Sequence, residues 1–399
     1  MGVLRFLTAG ESHGQALVVI VEGLPAGLPI TEAAVQAQLA RRRLGFGRGP
    51  RMRFEVDEIA LLGGIRHGRT LGSPVAIEIK NTEWPKWTEE MSPHPGRPSS
   101  VLSTPRPGHA DLVGMQKYGF DDARDVLERA SARETAARVA AGALAKALLA
   151  ELDCEVLSHT VQLGDVQVPA GRHPLPADLD VVDADEVRCL DPEISGAMVT
   201  AIKAAAKAGD SLGGVAEVVV HGVPLGLGSH VHWDRKIDGL LAQAVMSIQA
   251  VKGVELGQGF AQAGQPGSEA HDAISWDPEN AAGSGGFARV TSRAGGIEGG
   301  MTTGSLLTLR AAMKPLATLN RPVLETVDVA TKESTVSFKE RTDVTAVPAM
   351  GVVAEAMVAV VLASESLRKF GGDSMAELVR NRDGFLATLG ETPSAARGE

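Results

Sequence analysis

Thr8–Leu28 reads TAGESHGQALVVIVEGLPAGL, and Lys207–Leu227 reads KAGDSLGGVAEVVVHGVPLGL. At a constant offset of 199 residues, ten of the twenty positions from Ala9 to Leu28 are identical, and Gly10, Gly14, Gly23, Pro25 and Gly27 are among them. Glycine and proline fix backbone shape, so a repeat that keeps them repeats a piece of fold. One difference stands out: His13 of the first copy is Leu212 in the second. The fold accepts an apolar residue there, so the imidazole asks for a chemical reason.

Working outward, Leu4–Ala9 and Ala16–Glu22 read as two strands joined by the turn GESHG. Thr31 is placed to cap a helix over TEAAVQAQLARRR. Arg53–Ala60 and Val75–Lys80 read as further strands. The glycine turn between them, Gly63–Ser73, has its own twin at Gly295–Ser305, with seven of eleven positions identical at an offset of 232. An alanine-rich helix is expected over Glu128–Leu152 and its counterpart over Val344–Lys369. Ser158–Thr200, richer in Pro and Asp, reads as an insertion between halves.

The expected fold is therefore α+β: a β-α-β sandwich with long helices between antiparallel sheets, built from two pseudo-symmetric halves. The chain is read as one domain with halves at about 1–152 and 201–385. Glu83–Arg106 and Gly283–Gly286 are the expected mobile loops, and residues 390–399 a disordered tail.

Composition narrows the function. A hydrophobic content of 44% supports a large core, while only 4% is aromatic and glycines number 46, so close backbone packing must replace bulky side chains. The net charge of -10 argues against general nucleic-acid binding. Cys154 and Cys189 lie outside any metal-ligand spacing and read as buried or idle thiols of a reducing compartment. The N-terminus MGVLRFLTAG lacks the parts of a secretion signal. The apolar stretch Met350–Ala363 is broken by Glu355 and falls short of the ~20 residues of a membrane span. A cytoplasmic protein with no membrane or metal partner is expected.

Four constellations carry chemistry. Arg41, Arg42, Arg43, Arg48, Arg51 and Arg53 crowd one stretch; a solvated helix end plus a basic loop accounts for it by itself, while the functional reading is a pocket for a small, multiply charged anion. In TPRPGHAD, prolines stiffen the loop around His109 beside Arg106 and Asp111; a loop histidine is usually surface, but these neighbours could tune it. In ERASARET, Ser131 and Glu134 have the spacing of a capping box, which leaves the flanking Arg129 and Arg133 unexplained. MKPLAT and KERTDV supply Lys314, Arg341 and Asp343, the last expected at a helix N-terminus. No P-loop, dinucleotide fingerprint, nucleophile motif or zinc spacing appears.

Together these residues resemble the chorismate synthase family over nearly the whole chain. The resemblance is carried by GESHG at Gly10, RRRLGFGRG at Arg41, GIRHGRTLGSP at Gly64, NTEWPKW at Asn81, RPGHAD at Arg106 and KYGFDDARDVLERASARETAAR at Lys117. It continues through GDSLGG at Gly209, IQAVKGVE at Ile248, AGGIEGGMTTG at Ala294, AAMKPLAT at Ala311, RTDVTAVPA at Arg341 and KFGGDS at Lys369.

The resemblance implies a homotetrameric lyase that converts 5-enolpyruvylshikimate 3-phosphate to chorismate and phosphate, the last common step towards aromatic compounds. This 1,4-anti elimination needs reduced FMN but has no net redox change. It implies flavin contacts at Arg129, Ala130, Ser131, Gln249, Ala250, Gly299, Lys314, Pro315, Leu316, Ala317, Thr318 and Arg341. Substrate contacts follow at Arg42, Arg48 and Arg133, and Arg42 and Arg48 are also the positions of NADP contact. His13 is implied as general acid for the departing phosphate, His109 as proton donor to the flavin system, and Asp343 as partner in the proton relay. A cationic pocket would keep reduced flavin anionic and electron-rich. NADPH is the expected upstream reductant, delivered through an external flavin reductase because no dinucleotide fingerprint is present. Two rivals stay open at this point: a flavin-dependent oxidoreductase with net hydride transfer, and a non-enzymatic anion-binding protein.

Overall fold

The computed structural model describes residues 4–49, 57–277, 284–338 and 343–389. Arg51, Arg53, Gly283, Arg341 and the tail at 390–399 fall outside them.

The first half opens with β1 (Arg5–Ala9) and β2 (Ala16–Glu22), joined by the GESHG turn and paired antiparallel. Helix α1 (Glu32–Arg42) follows, with Thr31 Oγ1 accepting from the Ala34 N–H as the sequence predicts. Then come β3 (Ile59–Gly63) and β4 (Val75–Lys80). The long helix expected over Glu128–Leu152 is two: α2 (Arg124–Ala130) and α3 (Thr135–Ala150), separated by extended backbone at Ser131 and a single 3-10 turn.

The second half contains β5 (Glu155–Leu163), β6 (Gly214–His221), α4 (Ile237–Met246), β7 (Val251–Leu256), β8 (Leu307–Met313) and α5 (Val347–Phe370). Sheet one runs β1-β2-β4-β3, and sheet two runs β5-β6-β8-β7, with a short edge strand at Val166–Gln167 beside β5. All these pairings are antiparallel. The two orders are the same, strand for strand.

This match corrects one expectation. Ser158–Leu163 is part of β5, which takes the place beside β6 that β1 takes beside β2. The inserted material therefore begins after β5, inside the second half. The sequence hid this because the repeat of the first turn starts only at Lys207, after the inserted helix Pro192–Ala208.

Strand alternation turns Leu17, Val19, Val21, Val75, Ile77 and Ile79 of sheet one inward, and Ala216, Val218, Val220, Leu307, Leu309 and Ala311 of sheet two. Helices α3 and α5 lie between them, and one continuous core holds residues of both sheets and both helices. At the α3–α5 crossing, a Cβ added to Gly142 would sit 2.2 Å from Ala356 Cβ and 2.5 Å from its Cα. A glycine and alanines are what allow this approach.

Helix α5 is longer than the apolar stretch read from the sequence: it runs 24 residues, long and apolar enough to cross a membrane, but 89% of its most apolar 18 residues are buried inside the protein. Burial between two sheets explains an all-round apolar helix. Glu355, which breaks the stretch, is fully buried and accepts from Arg41 (2.6 Å), Lys146 (2.7 Å), Arg188 (3.3 Å) and Ser158 Oγ (2.6 Å). Arg41 is thus a core residue rather than part of an anion pocket. Asp183 pairs with Arg41 and Arg188 on the other side. Both cysteines are free and buried, and burial pushes the Cys154 thiol up to about 12 and Cys189 to about 11.

Candidate active site

The GESHG turn is tied down from three sides. Gly10 is left-handed, and a Cβ there would meet Ala16 O at 2.2 Å, so only glycine allows this turn. Asn81 Nδ2 donates to the carbonyls of Ser12 and Gly14, both at 2.9 Å. Ser12 N–H donates to Glu128 O at 3.0 Å, and its hydroxyl lies 3.2 Å from Ser131 Oγ.

On this anchored turn, His13 is mostly covered. Its Nδ1 lies 2.9 and 3.1 Å from the two carboxylate oxygens of Glu128, and its ring stacks on Trp87 with centroids 4.0 Å apart. Arg124 bonds Glu128 at 3.0 Å and lies over the Trp87 ring. Sequence reasoning did not assign Glu128, Trp87 or Arg124. All three lie in quoted motifs, but nothing in the spacing ties them to residue 13.

His109 sits just before the helix Asp111–Tyr118. Its Nδ1 is 2.5 Å from Asp111 Oδ1, and Arg106 Nε donates to Asp111 Oδ2 at 2.8 Å. Burial pushes the Asp111 carboxyl up, but the His109 and Arg106 bonds and charges outweigh it and hold it well below the usual carboxylate range. Asp111 is therefore an anion at neutral pH and can only accept, so Nδ1 donates to it, and Nε2, with Arg106 Nη2 3.4 Å away, is the nitrogen for proton exchange.

The Lys314–Thr318 stretch faces this histidine loop. Lys314 Nζ donates to Gly108 O at 2.5 Å, and Arg106 Nη1 to Thr318 Oγ1 at 3.4 Å. A Cβ on Gly108 would lie 3.7 Å from Ala317 Cβ, and one on Gly213 would meet Pro315 N at 2.8 Å. Ser211 Oγ donates to Leu316 O at 2.8 Å, and Leu212 N–H to Val344 O at 2.8 Å. The second copy of the turn thus braces this stretch and leads to Asp343.

Asp343 does not cap α5, whose N-cap is Ala346. It accepts from Gly49 N–H at 2.6 Å and pairs with Arg48 Nε at 2.8 Å. The glycine-rich turn at 45–49 brings the basic loop to it: Gly47 O accepts from Val344 N–H at 2.7 Å. Arg42 is buried in the last turn of α1.

Ser131 accepts from the Arg133 N–H, but Glu134 does not complete a capping box. Its carboxylate is taken by Thr8 Oγ1 (2.8 Å), Arg138 (2.8 Å) and Gln249 Nε2 (3.1 Å). Arg129 reaches the carbonyls of Thr8 and Gly10 at 2.9 and 3.1 Å, and Arg133 is bound to Asp57 and to Lys80 O. Ala130 is the last residue of α2, immediately before the Ser131 break. Ala250, left-handed at φ 65°, accepts from Lys314 N–H at 3.0 Å; that backbone costs an alanine roughly 1–2 kcal/mol. Gly299 lies in a separate turn, whose Gly300 carbonyl accepts from Ile237 N–H at the start of α4.

The donor set suits a flavin nucleotide. Guanidinium, ammonium and amide donors line two loops, Gln249 Oε1 is buried without a hydrogen-bond partner among the described residues, and so is Arg48 Nη1. A guanidinium N–H such as Arg48 Nη1 can donate to a phosphate oxygen, and an amide oxygen such as Gln249 Oε1 can accept from a ring N–H. Among the described residues no cluster able to hold a metal ion occurs.

Comparison with known proteins gives a consistent result. The family model described as chorismate synthase matches residues 4–367. Chorismate synthase of Kocuria rhizophila is 60% identical over 399 residues, covering 98% of this chain and 94% of its own. That of Streptomyces coelicolor is 58% identical, with 98% and 99% covered. A solved structure, a crystal structure of chorismate synthase, is 38% identical with a TM-score of 0.77, covering 98% of this chain and 99% of that one.

Proposed function

The chain belongs to the chorismate synthase family, and on that premise we propose how its own residues carry the family's reaction. That reaction is a carbon–oxygen lyase step: 1,4-anti elimination of phosphate from 5-enolpyruvylshikimate 3-phosphate to give chorismate, dependent on reduced flavin and without net redox change. When bound, reduced FMN would supply electron density for loss of the phosphate and a basic site for the hydrogen at carbon 6.

The protein's own part is to bind, orient and move protons. Arg42, Arg48 and Arg133 hold the substrate's carboxylates and phosphate. Arg129–Ser131, Gln249, Ala250, Gly299, Lys314–Thr318 and Arg341 would hold the flavin. His13 gives a proton to the departing phosphate, His109 supplies the flavin side, and Asp343 relays the proton taken from carbon 6. The observation that supports this reading is the run of hydrogen bonds from the His109 loop, at Arg106 and Gly108, through Lys314–Thr318 and Ser211 to Val344, ending in the Asp343–Arg48 ion pair. It gathers two acid–base groups and an arginine from stretches far apart in sequence.

The test is anaerobic phosphate release from enolpyruvylshikimate phosphate, with and without dithionite-reduced FMN. Phosphate and chorismate should appear in equal amounts only with reduced FMN, and no reductant should be consumed per turnover. Stoichiometric consumption would make the protein an oxidoreductase instead.

The finer assignments belong to the same proposal. NADPH acts upstream, through Arg42 and Arg48 or through a separate reductase; turnover with NADPH and FMN but no reductase separates the two. The enzyme is a cytoplasmic homotetramer of one-domain chains. Residues of both halves in one core support the single domain. Leu7 and Ile20, paired on the outer face of sheet one and 74% and 43% exposed, support a subunit contact there. Light scattering measures the assembly.

A further inference from the structure

We propose that Glu128 is the positioning residue for His13: it fixes which ring nitrogen carries the exchangeable proton and where that nitrogen points. The inference rests on reading His13 as the proton donor to the departing phosphate.

Glu128 lies in the last turn of α2 and is 3% exposed. Its carboxylate takes hold of residue 13 twice. Oε2 accepts the His13 backbone N–H at 2.9 Å, and Oε1 lies 2.9 Å from the ring Nδ1. Burial pushes Glu128 up, yet the bonds and charge of His13, with the charge of Arg124, hold it below the ordinary carboxylate range. It is an anion at neutral pH and can only accept. Nδ1 must therefore donate, and Nε2 is the nitrogen that gives and regains the working proton. Trp87 against the ring face opposes its rotation, and Arg124 braces both Trp87 and Glu128.

The second half of the molecule separates the contact to the ring from support of the turn. There, Leu212 stands in place of His13, and the turn is tied by Leu212 N–H to Val344 O at 2.8 Å. In the first half, Ser12 N–H donates to Glu128 O at 3.0 Å. At the position of residue 13 the second half ties the backbone N–H to a main-chain carbonyl, where the first half ties it to the Glu128 carboxylate, and Ser211 N–H turns to Asp210 instead. The carboxylate grip accompanies the histidine, while Asp343, the acidic residue beside the second tie, is turned to Arg48. The backbone half of the grip thus does the work of the turn tie, and the ring contact of Oε1 with Nδ1 is the part that goes with the imidazole.

The step it serves is a single proton transfer, from Nε2 to an oxygen of the departing phosphate, with the ring reprotonated from solvent. The test is a double-mutant cycle on the full-length enzyme with substrate and reduced FMN. Glu128→Gln leaves one acceptor for two donors, and it should lower kcat by ~10-fold or more, the lower end of what carboxylates that orient a metal-bound imidazole contribute, with KM and FMN affinity unchanged. In a His13→Ala background, adding Glu128→Gln should change kcat less than about twofold, because residues that act as a unit are non-additive. Multiplied losses, or no loss in Glu128→Gln alone, would overturn the inference. Full turnover in His13→Ala alone would instead remove the reading beneath it. Where circular dichroism shows Glu128→Gln unfolded, Glu128→Asp, which keeps the charge but shortens the reach, takes its place with the same expectation.

Discussion

Two arginines expected to meet the substrate, Arg48 and Arg133, are each already paired, with Asp343 and with Asp57. A guanidinium enters a protein interior only with a partner. An incoming dianion must therefore compete with these carboxylates. Arg48 should be sensitive to geometry as well as charge, since a lysine cannot reproduce a planar fork. Arg48→Lys should raise KM for the substrate about tenfold or more, with FMN binding unchanged in a flavin titration. His109→Ala should lower turnover by ~100- to 10,000-fold, the usual worth of a general acid or base, while the far-ultraviolet circular dichroism stays that of the parent. Both histidines stand out in the sequence because each sits in a stretch whose neighbours demand a reason for it. Glu128 and Asp57 do not, because their partners lie 115 and 76 residues away. A carboxylate's purpose is set by what the fold brings to it.

At the scale of elements, Gly64, Gly68 and Gly72 of one turn and Gly296, Gly300 and Gly304 of its twin all take positive φ, so there the repeated sequence carries a repeated backbone. The alanine-rich helices announced a close crossing, but not where it falls. It falls at Gly142, where any side chain would meet the backbone of α5 at Ala356. Gly142→Ala gains up to about 1 kcal/mol of helix propensity. The overlap at 2.5 Å with Ala356 Cα cannot be relieved by rotating a side chain, so repacking, at ~1–3 kcal/mol or more, should win. Guanidinium denaturation should show a lowered midpoint with an unchanged slope. The break at Ser131 and the membership of β5 in the second sheet were hidden for opposite reasons. The first interrupts a pattern that continues to look helical, and the second precedes the repeated stretch. The duplicated scaffold also divides its acidic residues: Glu128 beside the first turn serves an imidazole, while Asp343 beside the second serves an arginine.

Across the whole molecule, the two halves and the inserted segment meet at one buried charge. Glu355 of α5 holds Arg41 of the first half, Lys146 of α3, Ser158 of β5 and Arg188 of the inserted segment. Burial raises its pKa, but the three cations and the Arg41 bond outweigh that and hold the carboxyl far below its usual value of 4.5. A depressed folded pKa contributes stability that is fully present above the unfolded value and is lost as pH falls towards the folded one. Glu217, gripped by His159, His173 and Arg310, and Asp111 act in the same direction. Stability should therefore be flat above about 4.5, the unfolded glutamate value, and fall steeply below it. Glu355→Gln leaves three buried cations short of a counter-charge, and should cost ~3–5 kcal/mol at neutral pH. Because that variant has nothing left to protonate at this position, its stability should fall less steeply below 4.5 than that of the parent. Urea denaturation of both proteins from pH 7 down to 3 measures the two slopes. Parallel slopes would mean that the charge at the junction of the halves does not couple their folding to pH.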